Sequence, residues 1–312
     1  MIRVSCATLM LSYLCLIPCQ GNAQEATAPV DTVEKNDKIT LRYQFQTGDE
    51  WHYQLRQKEV QTARSEAGEQ TALNDSSQWK HYQIIETYQD GSALLEVIVD
   101  RIQIQFTSIV DDQQQVISYD SKHNRKPPVL LKGIEKSLGT FAKVKMSPSG
   151  ELLDVDLGRK LEEEELKKAG KIQGLPIKLP ADPIAVGDSW VHKIPVKLSV
   201  SRQLNLNREV FADFKMQTNY QLKKVEADRA TISFSTIVQP RITDPFLRAR
   251  MMQYLPSGTI MFDLKQGKII SRTEDIDETV LNAGGPKTAM ELRSRKLEKM
   301  VPAESELSPS AN

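Results

Sequence analysis

Serine, lysine, histidine and carboxylate side chains are what a chain like this could use for chemistry, and their spacing is the first test. Ser77-Gln78-Trp79-Lys80 fits Ser-x-x-Lys, a pattern in which a base activates a serine nucleophile. It begins at the end of a polar stretch and runs into a predicted strand, where the pattern needs a helix. The Gly-x-Ser-x-Gly turn that exposes a hydrolase serine between strand and helix does not occur. The histidines His52, His81, His123 and His192 have no i, i+2 or i, i+4 histidine partner, so no zinc spacing and no metal ligands are read from them.

The acidic clusters give as little. Glu274-Asp275-Ile276-Asp277-Glu278 alternates, so a strand would split its carboxylates between two faces. Calcium needs six to eight oxygens converging on one point. Asp154 and Asp156 share a face and could act as an acid–base pair. Nothing here specifies a reaction or a cofactor, and the expectation is a non-enzymatic protein, with a hydrolase assembled from distant strands as the weaker alternative.

The elements that would position any site are organised by a repeat. Gly48-Asp49-Glu50-Trp51 and Gly187-Asp188-Ser189-Trp190 match, with Trp51 and Trp190 139 positions apart. Tyr82-Gln83-Ile84 matches Tyr220-Gln221-Leu222, and closing hairpins are predicted over Val144–Asp156 and Ile260–Ile270. The first copy is longer, and its extra residues belong in Ile109–Lys132.

Ile39, Leu41, Tyr43 and Phe45 alternate with polar residues, predicting a strand that hairpins at Gly48-Asp49 onto Trp51, Tyr53 and Leu55. Residues 61–78 are polar and read as a mobile loop. Leu161–Lys171 has helix formers with acids before bases and reads as a connector helix. Pro286–Met300 fits helix and strand equally. The fold class is all-β with minor α: two related antiparallel β modules, forming one extended or half-barrel sheet or two separate units.

The organisation expected is a signal peptide at 1–23, a flexible leader at 24–38 and a first β module at 39–158. A connector helix and Pro-rich linker follow at 159–182, then a second β module at 183–301 and a disordered tail at 302–312. Arg3 is the only charge before Glu25, Ala7–Pro18 is apolar, and Gly21-Asn22-Ala23 offers small residues for cleavage. That run is too short to span a bilayer, and no later segment approaches the required length, so the mature chain is expected to have no transmembrane segment.

Cys6, Cys15 and Cys19 all fall inside the signal, so a chain cut after Ala23 has no thiol. Pro18 makes Cys19 a poor site for lipidation, which wants a small preceding residue. Export to the periplasm or the extracellular space is the expectation.

Lys+Arg and Asp+Glu both number 41, giving a net charge of +0. A nucleic-acid partner, which draws on a basic surplus to displace counterions, is therefore not expected. Trp51, Tyr53 and Trp190 are the candidate ligand-binding residues, as aromatic platforms lining a cavity for a lipid-like or other apolar ligand. The competing reading has each ring plugging its own module's core. The other partner considered is an envelope protein, docked through an edge strand or through the Arg56–Gln78 loop.

Leu41-Arg42-Tyr43-Gln44-Phe45, Tyr119-Asp120-Ser121, Met146-Ser147-Pro148-Ser149-Gly150-Glu151, Val186-Gly187-Asp188-Ser189-Trp190 and Gly258-Thr259-Ile260-Met261-Phe262-Asp263 cover most of residues 39–280. In these motifs the chain resembles a family of exported bacterial proteins with a domain of unknown function. The resemblance implies a duplicated, secreted β-rich protein. It implies no activity and carries over no catalytic residue.

Overall fold

The computed structural model describes residues 37–303 apart from 111, 125, 133, 157–176 and 200–210. The signal segment, the Leu161–Lys171 helix and the boundary between the modules fall outside the described residues, as do Val200, Leu204 and Leu206 and most of the tail.

Among the described residues, twelve strands build one antiparallel sheet. They are β1 (Glu50–Ser65), β2 (Gly68–Thr87), β3 (Ala93–Val110), β4 (Gln113–Asp120), β5 (Gly139–Met146) and β6 (Leu152–Asp156), then β7 (Ser189–Ser199), β8 (Phe211–Glu226), β9 (Arg229–Gln239), β10 (Ser257–Asp263), β11 (Lys268–Leu281) and β12 (Ala289–Met300). Their order is β6-β5-β3-β2-β1-β12-β11-β10-β9-β8-β7, with β4 paired to the far end of β3. The α-helix α1 (Pro245–Met251) lies between β9 and β10 and is capped by Asp244, whose side chain accepts from the Leu247 amide.

The duplication is written in main-chain hydrogen bonds. The Gly48 amide donates to Ile84 O (2.9 Å) and the Ile84 amide to Asp49 O (2.9 Å). In the second module the Gly187 amide donates to Leu222 O (2.8 Å) and the Leu222 amide to Asp188 O (3.0 Å). Both glycines hold positive φ, +90° and +100°, which accounts for their recurrence. A β-bulge follows each clamp, between Ile84 and Glu86 and between Leu222 and Lys224. Trp51 stands opposite Tyr82 as Trp190 stands opposite Tyr220.

Two expectations are corrected and one ambiguity is resolved. Residues 40–46 form no hairpin with β1. Ile39 makes a lone bridge to Ile184, and the segment beyond it crosses the inside of the sheet, with Leu41 and Tyr43 buried. Its alternation is real, but its partners are hairpin tips: the Tyr43 amide donates to Pro148 O (2.8 Å) and the Gln44 amide to Gly267 O (3.1 Å). Residues 61–78 are no loop but the outer half of a long hairpin, turning at Glu66-Ala67 and paired with β12 and β3. The Arg56–Gln78 loop proposed for docking therefore does not exist. Of Pro286–Met300, which fits helix and strand equally in sequence, Ala289–Met300 forms strand β12.

Neighbouring peptides of one crossing segment thus touch the β5–β6 and β10–β11 hairpins. Five strand spacings separate β5 from β11, about 24 Å in a flat sheet. The sheet must therefore curl, and it remains open, with β6 and β7 at its ends. One core results, drawing Trp51, Leu95, Val144, Leu222, Phe262 and the crossing residues Leu41 and Ile177 into a single cluster. Tyr43 locks the two crossings together: its hydroxyl accepts from the Ile177 amide (3.0 Å) and donates to Ile177 O (3.3 Å).

Candidate functional site: the inner face, its groove and a histidine pair

Strand register decides which residues meet on the inner face. Tyr53 stands opposite Met300, Leu55 opposite Glu298, Gln61 opposite Leu292 and Ala63 opposite Met290. On the next ladder Arg272 stands opposite Glu298, Glu274 opposite Lys296 and Val280 opposite Met290. The face therefore runs in three tiers: the aromatic core, a charged belt, and a second apolar floor.

The candidate aromatic residues belong to the first tier. Trp51 is 3% exposed and stacks on Phe45, ring centres 5.6 Å apart, and its Nε1 has no hydrogen-bond partner among the described residues. Tyr53 donates its hydroxyl to Ile269 O (2.8 Å) and meets Tyr82 edge-on. Trp190 donates Nε1 to Lys178 O (2.9 Å) and stacks on Tyr220 at 5.2 Å. An indole that buries about 150–250 Å² contributes about 4–6 kcal/mol gross, so these rings act as plugs.

The belt holds paired charges. Lys80 Nζ lies 2.5 Å from Glu298 Oε1, both buried. Arg272 bonds Glu274 at 2.6 Å and covers the Phe234 ring, and Lys296 approaches the same Glu274 at 3.8 Å. Burial opposes the charge on Lys80, but Tyr82 and the Glu298 carboxylate outweigh it and hold its pKa above the ordinary lysine value. Burial pushes the Tyr53 and Tyr43 hydroxyls well up, so both stay neutral. Glu274, singled out in the acidic run, is thus a belt partner, while Asp275 and Asp277 face Arg295 and Arg293 on the other side of the strand.

Beyond the belt lies a groove of about 590 Å³ between α1 and the outer ends of β1, β11 and β12. Met252, Ala283 and Leu292 are buried in its floor, Ala249 and Met290 pack on them, and Phe246 stands at its wall, 37% exposed. At its rim Arg64 bonds Glu69 (2.6 Å) and Glu291, and Lys287 bonds Glu66 (2.5 Å). Trp51, Tyr53 and Trp190 do not line this groove.

On the outer face, His52 of β1 stands directly opposite His81 of β2, rings stacked at 5.0 Å. Asp100 of β3 bonds His81 Nδ1 at 2.9 Å, and Glu50 bonds His52 Nε2 at 3.0 Å. Sequence spacing misses this pair because it depends on the register of the β1–β2 hairpin, whose outer half carries no apolar pattern. Asp154 and Asp156 sit on the short edge strand β6, and His123 approaches Asp120 at 3.9 Å. Ser77 and Lys80 stand on either side of the bulge at Trp79/Lys80, and Lys80 is engaged by Glu298.

The class these observations define is an all-β protein of one open antiparallel sheet. No known family pattern and no curated protein matches the chain. Solved structures similar to it include a lipovitellin studied for its lipid–protein interactions, at 10% identity and a TM-score of 0.46, covering 86% of this chain and 27% of that one. The chain thus spans about a quarter of the lipovitellin chain. DynF of the dynemicin biosynthesis pathway of Micromonospora chersina is similar at 6% identity and a TM-score of 0.20, covering 92% of this chain and 95% of its own. A DUF1329 family protein from Desulfovibrio piger is similar at 10% identity and a TM-score of 0.15, covering 82% and 90%. Among the described residues no helix is long and apolar enough to cross a membrane.

Proposed function

We propose that this is an exported, non-enzymatic binding protein of the periplasm or extracellular space that holds a lipid-like ligand in the groove beneath α1. The observation that carries this reading is the groove itself. Its volume of about 590 Å³ lies within the range of small-molecule sites, and its floor is Met, Leu and Ala. Because Arg64 and Lys287 at the rim already bond Glu66, Glu69 and Glu291, the groove suits an uncharged acyl chain better than an anion. The resemblance of its short motifs to an exported bacterial family of unknown function, and the N-terminal signal pattern, support export.

The test is organic extraction and mass spectrometry of protein recovered from an exporting bacterium, followed by titration of the stripped protein with a fluorescent, uncharged acyl ester. Co-extracted lipid and saturable binding are expected, with binding at least tenfold weaker in Ala249→Trp, which fills the groove. Sequencing of the recovered N-terminus is expected to begin after Ala23. Absence of saturable binding, or binding unchanged by Ala249→Trp in a folded variant, would sink the proposal.

A further inference from the structure

We infer that His52, His81 and Asp100 bind a divalent transition-metal ion of the zinc, copper and nickel class. The three residues come from three adjacent strands, and one ligating atom from each lies within 4.8 Å of the others. His52 lies between the core residues Trp51 and Tyr53, so the cluster sits on the opposite face from the groove and is independent of it.

The hydrogen bonds around the cluster set its chemistry. Glu50 is an acceptor at His52 Nε2, which places the proton there and leaves a lone pair on Nδ1. That Nδ1 is buried and has no hydrogen-bond partner among the described residues. A histidine kept only for packing would leave its second nitrogen either solvated or bonded, since an orphaned buried acceptor costs about 1–3 kcal/mol. A ligating histidine shows this arrangement: one nitrogen tied to a carboxylate, which fixes the tautomer and raises basicity, and the other free for the ion.

Across the ladder, Asp100 Oδ2 accepts from His81 Nδ1 at 2.9 Å, so an ion held by these two atoms takes the place of the proton between them and its binding releases that proton. Tetrahedral bonds of about 2.0–2.1 Å need donors about 3.3 Å apart, so closing the set requires side-chain movements of about 1.5 Å on a fixed sheet. Two imidazoles and one carboxylate select a borderline ion over calcium or magnesium, which prefer oxygen alone.

The experiment uses the mature chain without an affinity tag, stripped with chelator and dialysed against Zn²⁺, Cu²⁺, Mg²⁺ or Ca²⁺. About one equivalent of Zn²⁺ or Cu²⁺ is expected per chain, with no retention of Mg²⁺ or Ca²⁺. His52→Ala and His81→Ala are each expected to weaken binding at least tenfold, while His123→Ala and His192→Ala leave it unchanged. The electron paramagnetic resonance spectrum of the Cu²⁺ form should show coupling to two imidazole nitrogens, which decides the matter even if the variants fail to fold. Lack of stoichiometric uptake with the ion supplied in excess over the chain would overturn the inference. So would an oxygen-only copper spectrum, or equal weakening by His123→Ala.

Discussion

Lys80 and Glu298 meet at 2.5 Å inside the sheet although β1 runs between their strands. The pair bridges the tyrosine-lined core and the rest of the belt, and neither partner has water to replace the other. Glu298→Gln should cost about 3–5 kcal/mol by urea unfolding, because it leaves the buried Lys80 ammonium without a counter-charge, while Lys80→Met with Glu298→Leu should come close to neutral. Since the folded pKa of Lys80 is raised, its contribution is full below the unfolded value near 10.4 and is lost as pH rises through the folded value. The wild type should therefore lose stability in strong alkali more steeply than the double variant.

Gly150 and Gly267 are the tips against which the crossing segments press. A Cβ on Gly150 would lie 2.1 Å from Ile177 O and one on Gly267 2.5 Å from the Gln44 amide nitrogen, at φ of +78° and +59°. Main chain cannot yield as a side chain can. Gly150→Ala and Gly267→Ala should each lower the melting temperature by several degrees, corresponding to at least about 1–3 kcal/mol, whereas Gly285→Ala, with open space around it, should cost less.

Asp120 at the end of β4 takes two bonds from Arg101, at 3.0 and 2.5 Å, and Arg101 lies 4.6 Å over the Trp79 ring. Arg101 holds the carboxyl below its usual range against the opposing effect of burial, with help from the Lys122 amide. The stability this gives is present above the unfolded value near 3.9 and is lost as pH falls through the folded value. An acid step in Trp79 emission is expected, identified by its loss in Trp79→Phe and abolished in Asp120→Asn.

His192 is half-buried, and burial first and Lys178 second lower its pKa, with Glu151 opposing. Proton NMR should place its midpoint below 6.5. The unfolded chain then binds the proton more readily, so stability falls as pH drops below about 6.5, and His192→Gln should flatten that slope.

The repeat was legible because its landmarks are side chains with unusual duties: glycines at positive φ, and tryptophans facing tyrosines. The alternation of Ile39 to Phe45 reported burial correctly but not partnership, since an extended segment crossing a core has the same period as a strand in a ladder. Gly68–Gln78 was illegible because a strand flanked on both sides is held by main-chain pairing and needs no apolar face. With that register hidden, His52 and His81 looked unrelated. Asp244-Pro245 did carry a helix-start signal, but α1 has only seven residues, too few to show a period.

β12 is the last strand among the described residues and lies in the middle of the sheet, between β11 and β1. Its pairing spans the chain, from Tyr53 to Met300. The two half-sheets cannot join until β12 has emerged, and until then β1 and β11 are open edges. Completion of the fold is thus timed by the arrival of β12. Such long-range closure is slow, and it makes the final dozen residues of β12 the point at which a truncated chain fails.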